Sequence, residues 1–314
     1  MSADVLAVTP NPCMDRTLTV DQLRVGRLHR VQDSREDPAG KGINVAKALR
    51  VLGQDAVLMG FLGGPVGVRI RHQLSQDRWR MAFTSIAQST RTNIKILTST
   101  EVTELNEKGP EISDEEKDTF LDGLTKAACE ANFAVLSGSI PPNCGADFYC
   151  QCMNYLRDGN PDLFILLDSS GPALKNGIRS APSAVKPNIR ELSDLVGRRL
   201  ENPADAAAAS QTLRDDTGIE YVFCSLGEQG MVLAEKRGAY YVKAPAVEPV
   251  QTVGCGDSAV AGFLAGWKQG LELEECLRWA VSAGTAASLQ TDIGLNSIGD
   301  FHEILNQTII EQLV

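Results

Sequence analysis

The stretch Thr252-Val-Gly-Cys-Gly-Asp-Ser258 runs directly into Ala259-Val-Ala-Gly-Phe-Leu-Ala-Gly266, a small apolar run that reads as a helix. A helix start presents unpaired backbone N–H groups and the positive end of the dipole, which favours anions. Gly254 and Gly256 let that backbone approach a ligand with no Cβ in the way. An acidic residue, Asp257, sits in the same turn. Phosphoryl transfer to an alcohol asks for this pairing: a base to take the hydroxyl proton, and donors to stabilise the moving phosphoryl. Asp257 is therefore the candidate general base, and the amides of residues 254–257 are the candidate anion hole. An ordinary N-cap aspartate is the alternative, but it leaves Gly-Cys-Gly unexplained.

A second segment, Pro38-Ala-Gly-Lys-Gly-Ile-Asn-Val-Ala46, flanks a lysine with glycines just before another helical pattern. Backbone amides, an ammonium and an amide side chain would meet a phosphate or polyol there. The spacing is not that of a Walker A loop, and no Lys-Ser/Thr pair is present. A helix-start turn with a solvated lysine is the alternative.

The elements around these motifs read as α/β. The runs Val5–Val8, Ala56–Met59, Ala134–Leu136, Leu163–Leu167, Ala184–Val185 and Val222–Cys224 read as short buried strands. Helical patterns lie at Ile43–Leu52, Glu115–Glu130, Ala146–Arg157, Ala204–Asp215, Ser258–Trp267 and Leu273–Leu289. This alternation predicts a mostly parallel sheet covered on both sides. Two regions break the rhythm: Thr17–Ser34, with alternation at 17–20 and 29–33, and Thr92–Thr103, where Ile94 and Ile96 alternate with Asn93 and Lys95. They read as half-exposed antiparallel strands that could form one small sheet over the ligand-binding edge, or as ordinary surface hairpins.

Composition narrows the function. The chain has 314 residues, 43% of them apolar, enough for a full core. A net charge of −10 with no basic run argues against nucleic-acid binding. No apolar stretch reaches membrane-spanning length, and no secretion signal is evident, so a cytoplasmic location is expected. Eight cysteines without a Cys-x-x-Cys pair, and three scattered histidines, disfavour a zinc site and a Ser-His-Asp hydrolase. Reduced thiols are expected. No Gly-x-Gly-x-x-Gly follows the first strand, which disfavours a dinucleotide dehydrogenase.

Gly40-Lys-Gly-Ile-Asn-Val-Ala46 and Thr252–Gly266, in this order, resemble the N- and C-terminal signatures of the ribokinase-like (PfkB) sugar kinases. Thr9-Pro-Asn-Pro-Cys-Met-Asp15, Gly60–Pro65, Thr90–Lys95, Thr103–Glu107, Leu136–Pro142, Asp168–Gly171, Lys186–Glu191 and Ser225–Gly230 are similar to its hexose-phosphate branch. That branch contains 1-phosphofructokinase and tagatose-6-phosphate kinase. The resemblance implies a three-layer α/β/α fold over residues 1–314, with a lid from two insertions at approximately 13–37 and 90–107. It implies an ATP-dependent sugar-phosphate kinase acting on D-fructose 1-phosphate, with tagatose 6-phosphate as the alternative. A nucleoside or plain-sugar kinase and a non-catalytic sugar-phosphate sensor are more distant alternatives.

The resemblance also assigns roles. Asp257 is the base and Gly254, Cys255 and Gly256 form the anion hole. Asp15 binds sugar hydroxyls, and Gly40 and Asn44 line the sugar pocket. Lys41, Arg91 and Asn93 hold the phosphate already on the substrate, for which an arginine fork is suited. Ser139 faces the sugar or its phosphate. Lys186 and Asn188 lie near the nucleotide phosphates, and Glu191 helps hold Mg²⁺ through water. Ser225, Gly227 and Gly230 pass beside the nucleotide, and Ser282–Ala287 borders the adenine. A homodimer through the lid sheet is implied. Two departures stand out: Cys255 replaces the family's usual alanine, and Ala39 replaces a glycine. If the turn at 39 needs positive φ, alanine strains it. Thr291–Leu295 also differs from the family's small-residue ending, so no adenine contact is assigned there.

Overall fold

The computed structural model describes residues 5–313. The chain folds in the order β1 (Val5–Thr9), β2 (Cys13–Thr19), β3 (Asp33–Ala39), α1 (Lys41–Val51), β4 (Val57–Gly63), α2 (Gly64–Gln76), β5 (Arg80–Met81), β6 (Thr84–Ile86), β7 (Arg91–Leu97), β8 (Val102–Leu105), α3 (Asp114–Ala128) and β9 (Phe133–Ser137). It continues through α4 (Phe148–Gly159), β10 (Phe164–Asp168), α5 (Gly171–Gly177), β11 (Ala184–Val185), α6 (Ile189–Val196), α7 (Pro203–Thr217), β12 (Tyr221–Ser225), β13 (Met231–Glu235), β14 (Gly238–Lys243), α8 (Cys255–Lys268), α9 (Leu273–Ser288), α10 (Phe301–Gln307) and β15 (Ile309–Gln312).

The central sheet has eleven strands in the order β15-β14-β13-β12-β11-β10-β9-β1-β4-β5, with β6 pairing β4. Strands from β12 through β5 run parallel; β13, β14 and β15 add an antiparallel edge. The continuous apolar runs follow from burial on both faces. Val5 and Ala7 of β1 enter one core with α1, α2, α8, α9 and α10, while Leu6 and Val8 enter a second with α3, α4, α6 and α7. This is the expected three-layer architecture.

A separate four-stranded sheet has the order β3-β2-β7-β8. Two sequence expectations change here. The return strand is Asp33–Ala39, not His29–Asp33: pairing with β2 recruits a charged segment that carries no apolar alternation. The two insertions also join in parallel, with Asp15 opposite Asn93, while only β2–β3 and β7–β8 are antiparallel hairpins. The turn at Ala39 is unstrained, because Arg78 and Ala181 are the only described non-glycine residues with positive φ. Gly40 carries the unusual angle instead, at φ 135°, where a Cβ would lie 2.6 Å from Thr9 Cγ2.

Candidate active site

The C-terminal ends of the parallel strands deliver the site, as α/β sheets generally do. The order of strand addition reverses between the parallel neighbours β1 and β9, and Asn11 and Ser139 meet there, with Asn11 Nδ2 donating to Ser139 Oγ at 3.1 Å. Asp168 ends β10, Lys186 follows β11, and Ser225 ends β12.

α8 starts at Cys255 with Gly254 as its cap residue, at φ 82°, and no side chain caps it. A Cβ at 254 would lie 2.7 Å from the Gly294 amide nitrogen, so only glycine fits. Ser258 Oγ donates to Gly254 O at 2.8 Å and accepts from Leu295 N at 2.9 Å, which ties the 291–295 loop against this turn. Cys255 N donates to Thr252 O at 3.4 Å and Ser258 N to Gly254 O at 2.9 Å, which leaves the Gly256 and Asp257 amides without a backbone acceptor at this uncapped start. Lys186 Nζ stands 3.3 Å from the position a Cβ on Gly256 would take.

Asp257 is buried in the first turn of α8, and Asn44 Nδ2 of α1 donates to its Oδ2 at 2.8 Å. Burial, with the Asp168 charge, pushes its carboxyl from 3.8 up to about 6; Lys41, Asn44 and Lys186 limit the rise. Asp168 itself is fully buried, 2.9 Å from Lys41 Nζ and 3.3 Å from Lys186 Nζ. Burial opposes its charge, but the two ammonium groups outweigh burial and hold it below the ordinary value. In Lys41, burial is outweighed in turn by Asp168 and Asp257, so the ammonium stays charged. The arrangement is a base stronger than an ordinary carboxylate, beside two fixed cations and a helix start.

Asp15, Asn93 and Lys95 share one face of the four-stranded sheet, with Arg91 at its root. Asn93 Nδ2 and Cys13 Sγ each donate to Asp15 Oδ1 at 3.2 Å, and Lys95 Nζ lies 2.7 Å from Oδ2. Asn93 Nδ2 also lies 3.1 Å from Cys13 Sγ, so one amide hydrogen is shared between the thiol and the carboxylate. Arg91 donates through Nε and Nη2 to Asn11 O and through Nη1 to Glu107 O, clamping two backbone segments at the root of the sheet. Its remaining N–H bonds are available to an anion. Lys41 pairs with Asp168, while Arg91 reaches Asn11; Asn11 and Ser139 connect Arg91 to the Gly138 turn, where a Cβ on Gly138 would lie 4.0 Å from Lys41 Cβ.

On the other side, Asn188 and Glu191 form a reciprocal cap on α6. Asn188 Oδ1 accepts from the Arg190 and Glu191 amides, and Glu191 Oε2 accepts from the Asn188 amide at 2.8 Å. Asn188 bridges to Ser225, and Ser225 N donates to Pro187 O at 3.1 Å. Gly227 and Gly230 have φ of 64° and 100°, giving the tight turn between β12 and β13. In the 282–287 stretch of α9, Ser282 is buried on Thr308, and Ala283, Ala286 and Ala287 lie in the core. Gly284 approaches the start of α8, with a would-be Cβ 3.1 Å from Cys255 O. Cys255 is half-buried, and burial followed by the Asp257 charge pushes its thiol up to about 11.

Two residues at the centre carry no assigned role in the sequence reading. Asp168 had a readable signal: a carboxylate ending the apolar strand Phe164–Asp168. Lys95 lies two residues beyond Asn93, on the same strand face.

Residues 7–296 match the pfkB family carbohydrate kinase pattern. The chain is 34% identical over 307 residues to the tagatose-6-phosphate kinase of Staphylococcus epidermidis, covering 96% of this chain and 98% of that one. It is 34% identical over 290 residues to the 1-phosphofructokinase of Bacillus subtilis, covering 92% and 94%. Among solved structures, phosphofructokinase-2 from Escherichia coli in complex with potassium superposes with a TM-score of 0.91 at 28% identity, covering 98% and 99%. The chain belongs to the pfkB family of carbohydrate kinases, phosphotransferases with an alcohol acceptor.

Proposed function

We propose that this protein transfers a phosphoryl group from ATP to the 6-hydroxyl of D-fructose 1-phosphate, giving fructose 1,6-bisphosphate. The observation that carries this reading is the buried Asp257 on Asn44, beside Lys41 and Lys186 held over Asp168 at an uncapped glycine helix start. Asp257 takes the hydroxyl proton as the sugar oxygen bonds to the terminal phosphorus and the bond to the ADP oxygen breaks. The Gly256 and Asp257 amides, with the Lys41 and Lys186 ammonium groups, take up the developing charge. Lys41 serves this transfer point in our reading, and Arg91 holds the phosphate the sugar already carries. Asp15, Gly40, Asn44 and Ser139 line the sugar pocket.

No group of three or more potential metal ligands occurs among the described residues. Glu191 commits only one carboxylate oxygen to its cap, so it fits a cation held mainly by phosphates and water. Bound there, Mg²⁺ would screen phosphate charge. Ser225, Gly227 and Gly230 allow close approach of the nucleotide.

The four-stranded sheet serves as a lid that excludes water, a competing acceptor. Its outer face carries half-buried Leu18, Ile94 and Ile96, with Leu105 55% exposed. These four apolar side chains, beside the Arg16–Glu36 pair on the same face, support a homodimer through the lid. The ATP requirement and eight free thiols support a cytoplasmic location.

Tagatose 6-phosphate is the second reading, favoured by the Staphylococcus epidermidis relative. An ADP-release assay with fructose 1-phosphate, tagatose 6-phosphate, fructose 6-phosphate and fructose decides. Fastest turnover of fructose 1-phosphate supports the proposal, and preference for unphosphorylated fructose refutes it. No ADP release with any of them would point to a sensor.

A further inference from the structure

The carboxylate of Asp15 is held more tightly than a freely accepting ligand group requires. Lys95 lies 2.7 Å from its Oδ2, and the two side chains are only 11% and 7% exposed. Asn93 and Cys13 donate to Oδ1. A carboxylate has about four lone-pair sites, so three protein donors leave roughly one for a sugar hydroxyl. The strand register explains how Lys95 arrives. Asp15 faces Asn93 directly and Thr17 faces Lys95, so the lysine reaches diagonally back along β2, a distance long side chains span. A buried carboxylate without its cation would be strongly unfavourable. Lys95 touches neither Asp257 nor any other residue placed at the transfer point.

We propose that Lys95 is a positioning residue for sugar recognition: its ammonium fixes the Asp15 carboxylate in one orientation and leaves a single lone-pair direction for one sugar hydroxyl. The inference rests on the reading of Asp15 as the sugar-hydroxyl acceptor, and it narrows that reading from a diol clamp to a single oriented bond.

The test uses the full-length protein as wild type, Lys95→Met, Lys95→Arg, Asp15→Asn and the double variant Lys95→Met/Asp15→Asn. Calorimetric dissociation constants for fructose 1-phosphate and tagatose 6-phosphate are measured without nucleotide, and KM is measured for each sugar phosphate and for ATP. Lys95→Met should weaken sugar-phosphate binding about tenfold or more while KM for ATP stays within about twofold, as for one lost oriented bond to a charged group. Lys95→Arg, which keeps the charge, should recover most of the affinity. Asp15→Asn unchanged from wild type would overturn the reading of Asp15 itself. Asp15→Asn impaired with Lys95→Met unchanged would overturn the positioning role, as would equal rises in KM for sugar and ATP. Should Lys95→Met fail to fold, the double variant, which removes both buried charges, is compared with Asp15→Asn. Equal sugar affinity supports action through Asp15, and a further loss of about tenfold overturns it.

Discussion

Replacing Asp257 with asparagine separates catalysis from stability in a way the geometry makes unusually sharp. Asparagine has nearly the same shape and can still accept the Asn44 hydrogen bond through its amide oxygen. It cannot take a proton from the acceptor hydroxyl. A positioned general base typically contributes 10²–10⁴-fold, about 3–5 kcal/mol of barrier, so kcat should fall by that order while ATP binding is largely kept. Stability should move the other way. Raising the carboxyl from 3.8 to about 6 means that its ionised form costs the folded protein up to roughly 3 kcal/mol at neutral pH. The sign follows from the direction of the shift. Below the unfolded value, the neutral acid favours the folded state, and this contribution is lost as pH rises through about 6. Removing the buried charge should therefore raise Tm by a few degrees at pH 7.5 and by little at pH 4. In the wild type, kcat/KM should show an acid limb near pH 6. Coupled ADP release and scanning calorimetry read both effects. Full activity in Asp257→Asn would refute the base assignment, and a lowered Tm at pH 7.5 would refute the account of a strained buried charge.

Three further outcomes are expected. Cys255 should alkylate slowly at pH 7 and faster towards pH 9, because its thiol is pushed up to about 11, and ATP should give partial protection. Identical mass-spectrometric labelling with and without nucleotide would remove the thiol from the anion hole. Ala39→Gly should lower stability by about 0.5–1 kcal/mol, since residue 39 ends a strand without positive φ; a gain in denaturant midpoint would contradict this. Arg91→Ala should raise KM for the sugar phosphate far more than for ATP, and should speed amide hydrogen exchange in 91–109, whose root it clamps. Unchanged exchange there would show that the clamp is dispensable.

Much of this site is legible in the residues themselves. The glycines around Lys41 and Asp257 announce helix starts in the residues themselves, and α1 and α8 begin within a few positions of the expected places. The buried strands were equally readable, because a strand covered on both faces needs an unbroken apolar run whatever its neighbours are. The antiparallel strands β13 to β15 and the short helix α6 have no counterpart in the sequence reading, although the apolar run of β13 and the Asn188-x-x-Glu191 cap of α6 are signals in the residues themselves.

The charged strand Asp33–Ala39 shows the limit most clearly. Its seven residues include three acids, an arginine and a proline, and only pairing with β2 makes them a strand. The ion pairs follow the same rule. The sequence by itself determined a parallel α/β core, two glycine-rich helix starts and an aspartate in the first turn of the second, because each depends on residue type and local spacing. Tertiary structure alone decided that Asp168 unites Lys41 with Lys186, that Arg91 clamps Asn11 and Glu107, and that Lys95 pairs with Asp15. Those partners lie far apart along the chain, and strand order and register set which charges meet.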